Sequence, residues 1–399
     1  MNDAWRELVF PASYRNPAPR ERYHLVVIGA GPAGLIVAIA AAGLGASVAL
    51  VERAAMGGDC LNVGCVPSKT LLAEALRGRN FDAAIARVRS VRTAIAAHDS
   101  VARYTAAGVD VFLGAARFAD ERTVQVGDAL LRARRFVIAT GARAALPAVP
   151  GLAEIEPLTN ETVFDLPALP CSLAVLGAGA AGCELAQAFA RLGARVTLLE
   201  AAARVLPNEE PDAAALVAAA LQRDGVELRT GISIVRAERR ADAKILHLAD
   251  GGAVCADEVL IAAGRRRNVE DLNLEAAGIA YDAARGVLVD RRLRTTNRRV
   301  YAAGEVCSTL QFTHHADAQA RIVLRNALFF GRARADRLVV PWCVYTKPEL
   351  AHVGATRAAL DAQRRPYRAL RCDFADLDRG RTDDAGDGFA ELLVAADSD

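Results

Sequence analysis

Residues 25–52 read LVVIGAGPAGLIVAIAAAGLGASVALVE, and residues 173–200 read LAVLGAGAAGCELAQAFARLGARVTLLE. Each stretch is an apolar strand pattern, a G-x-G-x-x-G turn, a helix pattern and a second apolar strand closing on an acid. The glycines are Gly29, Gly31 and Gly34 in the first copy, and Gly177, Gly179 and Gly182 in the second. Glu52 and Glu200 each stand 23 residues beyond the first glycine of their copy. An offset of 148 residues also superposes Leu44 on Leu192, Gly45 on Gly193, Val48 on Val196 and Leu50 on Leu198. A lone glycine fingerprint is weak, but agreement of this depth weighs against two generic α/β units. The fold class is α/β, with two Rossmann-like dinucleotide-binding domains.

The first glycine of such a cradle permits a tight turn, and the second lets the backbone approach a pyrophosphate. The third lets helix and strand pack closely, with the helix N-terminus facing the negative charge. The closing acid accepts hydrogen bonds from ribose hydroxyls. Two cradles imply two dinucleotides. A carboxylate at Glu200 repels a 2′-phosphate, so NADH is expected in preference to NADPH, with Arg204 near enough to soften that preference.

Residues 57–69, GGDCLNVGCVPSK, carry the chemistry. On a regular helix, a rise of about 1.5 Å per residue would part Cys60 and Cys65 beyond easy disulfide reach. A bridge needs a distorted turn, and Gly64 has the backbone freedom for one. Pro67 suits a first helical position, with Lys69 following on the first turn. Cys65 then falls near a helix N-terminus beside a cation, two features that lower a thiol pKa. The pair reads as a redox disulfide. A structural staple belongs to secreted chains, and the opening MNDAWRELVF lacks a signal-peptide layout. A zinc site wants CxxC pairs or histidines at matching spacing, and none is present. No metal site is therefore expected, and Cys171, Cys183, Cys255, Cys307, Cys343 and Cys372 read as small buried residues.

The 399 residues are enough for two or three domains, and the formal net charge of +2 is spread along the chain. No basic and aromatic cluster suggests nucleic acid. Leu25 to Val51 is an uncharged run long enough for a membrane span. It nevertheless holds five glycines and Pro32 and parses as strand, turn, helix and strand, so no span is expected. A cytoplasmic location follows as an expectation. Lys69, Lys244 and Lys347 are the only lysines among 49 basic residues, so a lysine beside the cysteine pair hints at ammonium chemistry there.

Two cradles flanking a CxxxxC pair resemble the pyridine nucleotide–disulfide oxidoreductases, the family of dihydrolipoamide dehydrogenase, glutathione reductase and mercuric reductase. The resemblance covers about residues 23–399. Besides GAGPAG, GGDCLNVGCVPSK and GAGAAGCE, it is carried by ATGAR (139–143), AAGR (262–265), YAAGE (301–305) and YTKPELAHVG (345–354). LTNETVFDLP (158–167) and ELAQAFARLG (184–193) look most like the mercuric-reductase-like branch. The resemblance implies FAD in the first cradle, touched by Gly29, Gly31, Gly34, Glu52, Gly58, Lys69, Gly114, Thr140, Gly141, Gly304 and Glu305. At the last of these the family usually has Asp. It implies NAD(P)H in the second, touched by Gly177, Gly179, Gly182, Glu184, Glu200 and Gly264. The catalytic residues implied are Cys60, Cys65, Lys69 and Glu184. Hydride would pass from nicotinamide to flavin, and thence open the Cys60–Cys65 bridge. Cys65 would be the thiolate against the flavin and Cys60 the outer thiol that meets substrate. Lys69 and Glu184 would be the charge pair beside the ring.

The same resemblance divides the chain into an N-terminal arm (1–22), a discontinuous FAD domain (23–152 and 265–335), an NAD(P) domain (153–264) and part of an α+β dimerisation domain (336–399). Periodicity predicts a long helical stretch over 81–108, strands near 109–113, 123–126 and 135–139, a helix near 211–224 and another over 313–330. Family members continue beyond the equivalent of Asp399 with a His–Glu pair that serves the partner's active site, and mercuric reductases add vicinal cysteines. His314, His315 and His352 do not match that pair. The expectation is a homodimer if the C-terminal region is complete, acting on a small-molecule or metal-ion substrate. As it stands, the chain is expected to reduce artificial acceptors well and disulfides or Hg²⁺ poorly. The alternatives are a dihydrolipoamide-dehydrogenase-like enzyme and a truncated flavoprotein acting as a redox-sensing module.

Overall fold

The computed structural model describes residues 4–397; residues 1–3 of the expected arm and 398–399 of the expected dimerisation domain lie outside the described residues. The chain opens with α1 (Ala4–Val9). Val9 is fully buried, and the Arg92 guanidinium lies over the Trp5 ring at 4.9 Å. The Tyr14 hydroxyl donates to the Val111 carbonyl (3.0 Å), and Arg20 pairs with Asp110 (2.7 Å). Residues 4–22 are thus laid along the first domain.

That domain begins with β1 (Tyr23–Ile28), α2 (Pro32–Gly43) and β2 (Val48–Glu52). β1 is buried at all but one position and β2 at every position, as parallel strands covered on both faces must be. α3 (Gly58–Asn62) and α4 (Cys65–Leu76) carry the cysteines. The expected single helical stretch over 81–108 is two helices, α5 (Phe81–Ala96) and α6 (Val101–Ala106), joined by a 3-10 turn. Ser100 causes the break: its hydroxyl accepts from the Arg103 N–H as an N-cap (3.2 Å), and its backbone is extended. The strands β3 (Val109–Leu113), β4 (Ala116–Asp120), β5 (Thr123–Val126) and β6 (Ala129–Ile138) follow, then the short β7 (Ala142–Ala144). β3, β2, β1 and β6 pair in parallel in that order, while β4 and β5 extend β6 as an antiparallel meander.

The second unit repeats the plan with β8 (Ser172–Leu176), α7 (Ala180–Arg191), β9 (Arg195–Glu200), α8 (Pro211–Arg223) and β10 (Glu227–Thr230). An antiparallel group, β11 (Ile234–Arg240), β12 (Ala243–Leu248) and β13 (Ala253–Ala256), precedes β14 (Glu258–Ile261). β14 returns beside β8 to complete the parallel order β10-β9-β8-β14.

The chain then re-enters the first unit. β15 (Arg265–Arg267) pairs with β7, and β16 (Tyr281–Asp282) with β17 (Gly286–Val287). β18 (Val300–Ala302) lies parallel to β6 in the first sheet, and α9 (Thr313–Leu328) packs against α2. Beyond it come β19 (Pro341–Val344), β20 (Leu350–Val353), α10 (Arg357–Ala362), β21 (Tyr367–Asp373), α11 (Asp378–Thr382) and β22 (Phe389–Ala395). Together these make two Rossmann-like units followed by an α+β segment.

One more expectation needs correcting here. Cys171, Cys255 and Cys372 are exposed rather than buried. Cys255 stands on the outer face of the alternating strand β13, and Cys372 on β21, of which no residue is buried. The apolar run 25–51 is strand, turn, helix and strand, as its glycines suggested, and among the described residues no helix is long and apolar enough to cross a membrane.

Candidate active site

The two cradles are built alike. Gly29 has φ +101° and Gly177 has φ +100°, a left-handed geometry that suits glycine. A methyl at Gly34 would sit 1.8 Å from the Gly29 carbonyl oxygen, and one at Gly182 would sit 1.9 Å from that of Gly177. Backbone therefore packs on backbone at both turns. Glu52 accepts from the N–H groups of Ala30 (2.7 Å) and Ala54 (2.8 Å). Glu200 accepts from those of Ala178 (2.7 Å) and Ala202 (2.8 Å). The acids, read from sequence as ribose acceptors, thus also brace their own glycine turns. Burial pushes the Glu52 carboxyl upward against the lowering effect of these backbone donors.

Both turns fit a dinucleotide. Gly31 and Gly179 are the N-caps of α2 and α7, and neither helix start has a side-chain cap. The first N–H groups there are left for an anion. A methyl at Gly179 would meet nothing within 4 Å, and one at Gly31 only the Gly58 Cα at 3.7 Å, so there is room for a close-lying diphosphate.

The other expected flavin contacts converge on the first turn. The Gly57 N–H donates to Ala30 O (2.8 Å), which seats Gly58 against Gly31, and the Gly114 N–H donates to Glu52 O (2.8 Å). Thr140 donates its hydroxyl to Asn268 O (2.7 Å), and the Asn268 N–H donates to Gly141 O (3.0 Å). The Gly304 N–H is held by the Gln319 side-chain oxygen (2.7 Å). Gly264 lies at the equivalent place beside the second unit, its carbonyl accepting from the Ala145 N–H (3.0 Å).

Glu305 has a partner that sequence reading did not assign. Its carboxylate pairs with the Arg265 guanidinium at 2.7 Å, and the same guanidinium pairs with Asp59 and donates to Ala142 O (2.6 Å). One cation thus holds two carboxylates at the rim of the first cradle. Arg265→Gln would leave both carboxylates at the rim of the first cradle without their cation, where they would repel a bound diphosphate. Flavin affinity should fall by about tenfold or more, 1.4 kcal/mol per decade, in a fluorescence titration of flavin-stripped protein.

Cys60 ends up close to Cys65 because the chain breaks between them. α3 stops at Asn62, Val63 and Gly64 turn, and α4 starts at Cys65 itself. Pro67 is therefore the third residue of the helix rather than the first, and Lys69 lies at the start of the second turn. In this structure the two cysteines are not bridged, the form in which the pair would meet an acceptor. The Cys65 thiol is lowered to about 6, chiefly by a hydrogen bond from Cys60, with Thr313 and the Lys69 charge assisting against desolvation and Glu184. The Cys60 thiol moves up, through the same hydrogen bond and burial. These opposite shifts favour the proton on Cys60 and the negative charge on Cys65. Thr313 Oγ1 lies 3.5 Å from Cys65 Sγ at the start of α9.

Lys69 Nζ stands 2.6 Å from Glu184 Oε2, an ion pair that joins α4 to α7. Glu184 is 2 % exposed, and its other oxygen accepts from the Tyr345 N–H (3.0 Å). The Tyr345 ring lies 4.8 Å from the same ammonium. The cysteine helix, the second cradle's helix and the segment after β19 thus meet at one carboxylate. Thr313, Arg265, Asp59 and Tyr345 were missed as site residues from sequence, although Arg265 and Tyr345 lie inside the AAGR and YTKPELAHVG phrases.

Two dinucleotide-cradle units that meet at a CxxxxC thiol pair define a dinucleotide-dependent disulfide oxidoreductase. The chain belongs to the pyridine nucleotide-disulphide oxidoreductase family: the family model matches residues 23–320, and the model of its dimerisation domain matches residues 340–399. The family is one of flavin-dependent oxidoreductases. Among relatives, a Staphylococcus aureus mercuric reductase is 34% identical over 357 residues, covering 84% of this chain and 65% of that protein. A Pseudomonas aeruginosa protein named dihydrolipoyl dehydrogenase 3 is 37% identical over 409 residues, covering 95% of this chain and 87% of its own. The solved HOCl-induced flavoprotein disulfide reductase RclA from Escherichia coli, as its Cu(II) complex, superposes with a TM-score of 0.87 at 30% identity, covering 94% of this chain and 87% of that one. The chain spans 65% of the Staphylococcus mercuric reductase and 56% of the one from Bacillus cereus.

Proposed function

We propose that this protein is an FAD-dependent, nicotinamide-nucleotide-oxidising reductase of mercuric-reductase-like type that works through the Cys60–Cys65 pair. The observation that carries the reading is the Lys69–Glu184 ion pair, which ties the thiol-bearing helix to the second cradle's helix at 2.6 Å. The first cradle, with Glu52, Thr140, Gly304 and the Asp59–Arg265–Glu305 rim, would hold FAD. Bound there, the flavin supplies a ring able to take a hydride and hand two electrons on.

The chain's own residues then manage charge and protons. Lys69 sets a cation near the thiol pair, and Glu184 keeps that cation in place while shielding the buried site from net charge. Cys65 holds the thiolate. Cys60 holds the proton and is the outer thiol that meets substrate, so its attack requires that proton to pass to Cys65 or to an outside base. Closing the thiol–thiolate pair to a disulfide delivers two electrons and one proton, and with a second proton from solvent an acceptor disulfide becomes two thiols. Two chains would associate through the region after residue 340.

NADH is the favoured donor. A Glu200 carboxylate fixed on two backbone N–H groups would face the 2′ side of a ribose bound in the second cradle and disfavour a phosphate there. Arg204, expected to soften that preference, is taken up by the carbonyls of Leu206 (2.7 Å), Pro207 (2.8 Å) and Glu209 (2.7 Å). A dihydrolipoamide-dehydrogenase-like activity is the second reading, favoured by the 37% identity with dihydrolipoyl dehydrogenase 3. Anaerobic titration of the purified flavoprotein with NADH and NADPH, followed by assays with lipoamide, Hg²⁺ and a dye acceptor, tests both. A colourless protein that takes up no FAD would overturn the proposal.

A further inference from the structure

Gln187 lies one turn after Glu184 on α7, is fully buried, and belongs to no expected site. Its amide makes three hydrogen bonds. Oε1 accepts from the Lys347 N–H (2.8 Å), while Nε2 donates to the Lys347 carbonyl (2.8 Å) and to Asp224 Oδ2 (2.8 Å). The orientation is unambiguous, because a flipped amide would set oxygen against two acceptors and nitrogen against a donor. Glu184 accepts from the Tyr345 N–H in the same way (3.0 Å). Two side chains of one helix therefore do for residues 345–347 what a neighbouring strand does in a sheet. Of the two features that fix Lys69, the ring face of Tyr345 belongs to that segment, and the Glu184 carboxylate takes a hydrogen bond from it.

We propose that Gln187 is a positioning residue of the redox centre, seating the Tyr345–Lys347 backbone so that the Lys69 ammonium is fixed between the Tyr345 ring and the Glu184 carboxylate. Replacing the amide with an apolar group removes the partner of the Lys347 N–H and C=O, which then turn to water and unseat the segment. Tyr345 then moves with it, Glu184 loses one donor, and Lys69 is no longer held near the cysteines. The inference rests on Cys65 being the low-pKa thiol of the pair. The charged or titratable groups facing Cys65 are Cys60 from α3, Lys69 from its own helix, Glu184 from α7, Glu305 after β18 and Tyr345 after β19.

The test is the pH profile of iodoacetamide alkylation at Cys65 in the reduced full-length protein, read by mass spectrometry. Lys69→Met should move the half-point up by about half a pH unit or more. Gln187→Leu should move it the same way by a smaller amount, and the double variant should match Lys69→Met alone. Tyr345→Leu, at a residue 43% exposed, should reproduce Gln187→Leu without disturbing the core, whereas Tyr345→Phe, which keeps the ring, should superpose on the wild type. A Gln187→Leu profile identical to wild type, additive shifts in the double variant, or an unmoved Lys69→Met would each overturn the inference. A wild-type Cys65 that alkylates like an ordinary thiol would instead remove the reading of the cysteine pair beneath it.

Discussion

Gly34→Ala should yield a protein that purifies without flavin, whereas Gly182→Ala should remain yellow and lose only its reduction by NADH. The two substitutions are sterically equivalent. The added methyl would meet the Gly29 carbonyl oxygen at 1.8 Å in one cradle and the Gly177 carbonyl oxygen at 1.9 Å in the other. Neither obstacle is a side-chain tip that can turn aside. Helix α2 must part from the end of β1, or α7 from the end of β8, and the N–H groups at the helix start then no longer face the diphosphate. Forcing a methyl into packed core costs about 1–3 kcal/mol. Here the obstacle is backbone, so the upper part of that range applies, a loss of about a hundredfold in affinity. Each variant is the control for the other, since general misfolding would remove flavin from both. Flavin content by absorbance and an anaerobic NADH titration read the outcome. A Gly34→Ala protein that retains full flavin would mean the first cradle is not its seat.

The cradles were legible in sequence because their physics is local. A glycine turn, the helix it opens and the acid that braces it fall within 24 residues, at a fixed spacing. The Lys69–Glu184 contact was legible only through family resemblance, since nothing in periodicity links residues 115 apart. The break that brings Cys60 to Cys65 was half visible: Gly64 marked a flexible point, but Pro67 drew the helix start two residues too late. The break after Ala96 was missed because a serine inside an apolar period looks like a tolerated helix residue until its hydroxyl is seen capping the next turn. The Asp59–Arg265–Glu305 network could not be read at all. Its arginine and first carboxylate are 206 residues apart, and three consecutive arginines at 265–267 gave no sign of which one turned inward.

Cys65→Ser should abolish the long-wavelength thiolate–flavin absorption in every redox state, whereas Cys60→Ser should show it even before any reductant is added. With Cys60 gone, Cys65 has no partner for a disulfide and stays a thiolate beside the flavin. A serine hydroxyl at position 60 can still donate the hydrogen bond that is the first cause of the low Cys65 value. The band in Cys60→Ser should fade on acidification, at a pH below the ordinary thiol range, because protonation removes the donor charge. Lys69→Met should move that fading point to higher pH, in line with the loss of a nearby cation. Turnover with any disulfide acceptor should fall by about a thousandfold or more in both cysteine variants, since each removes one end of the bond that must form. Hydride uptake from NADH should survive in both, because it needs only the two cradles and the Lys69–Glu184 pair. Stopped-flow reduction beside steady-state turnover separates these steps. If the band were strong in Cys65→Ser and absent from Cys60→Ser, the two thiols would have exchanged roles, with Cys60 the inner one.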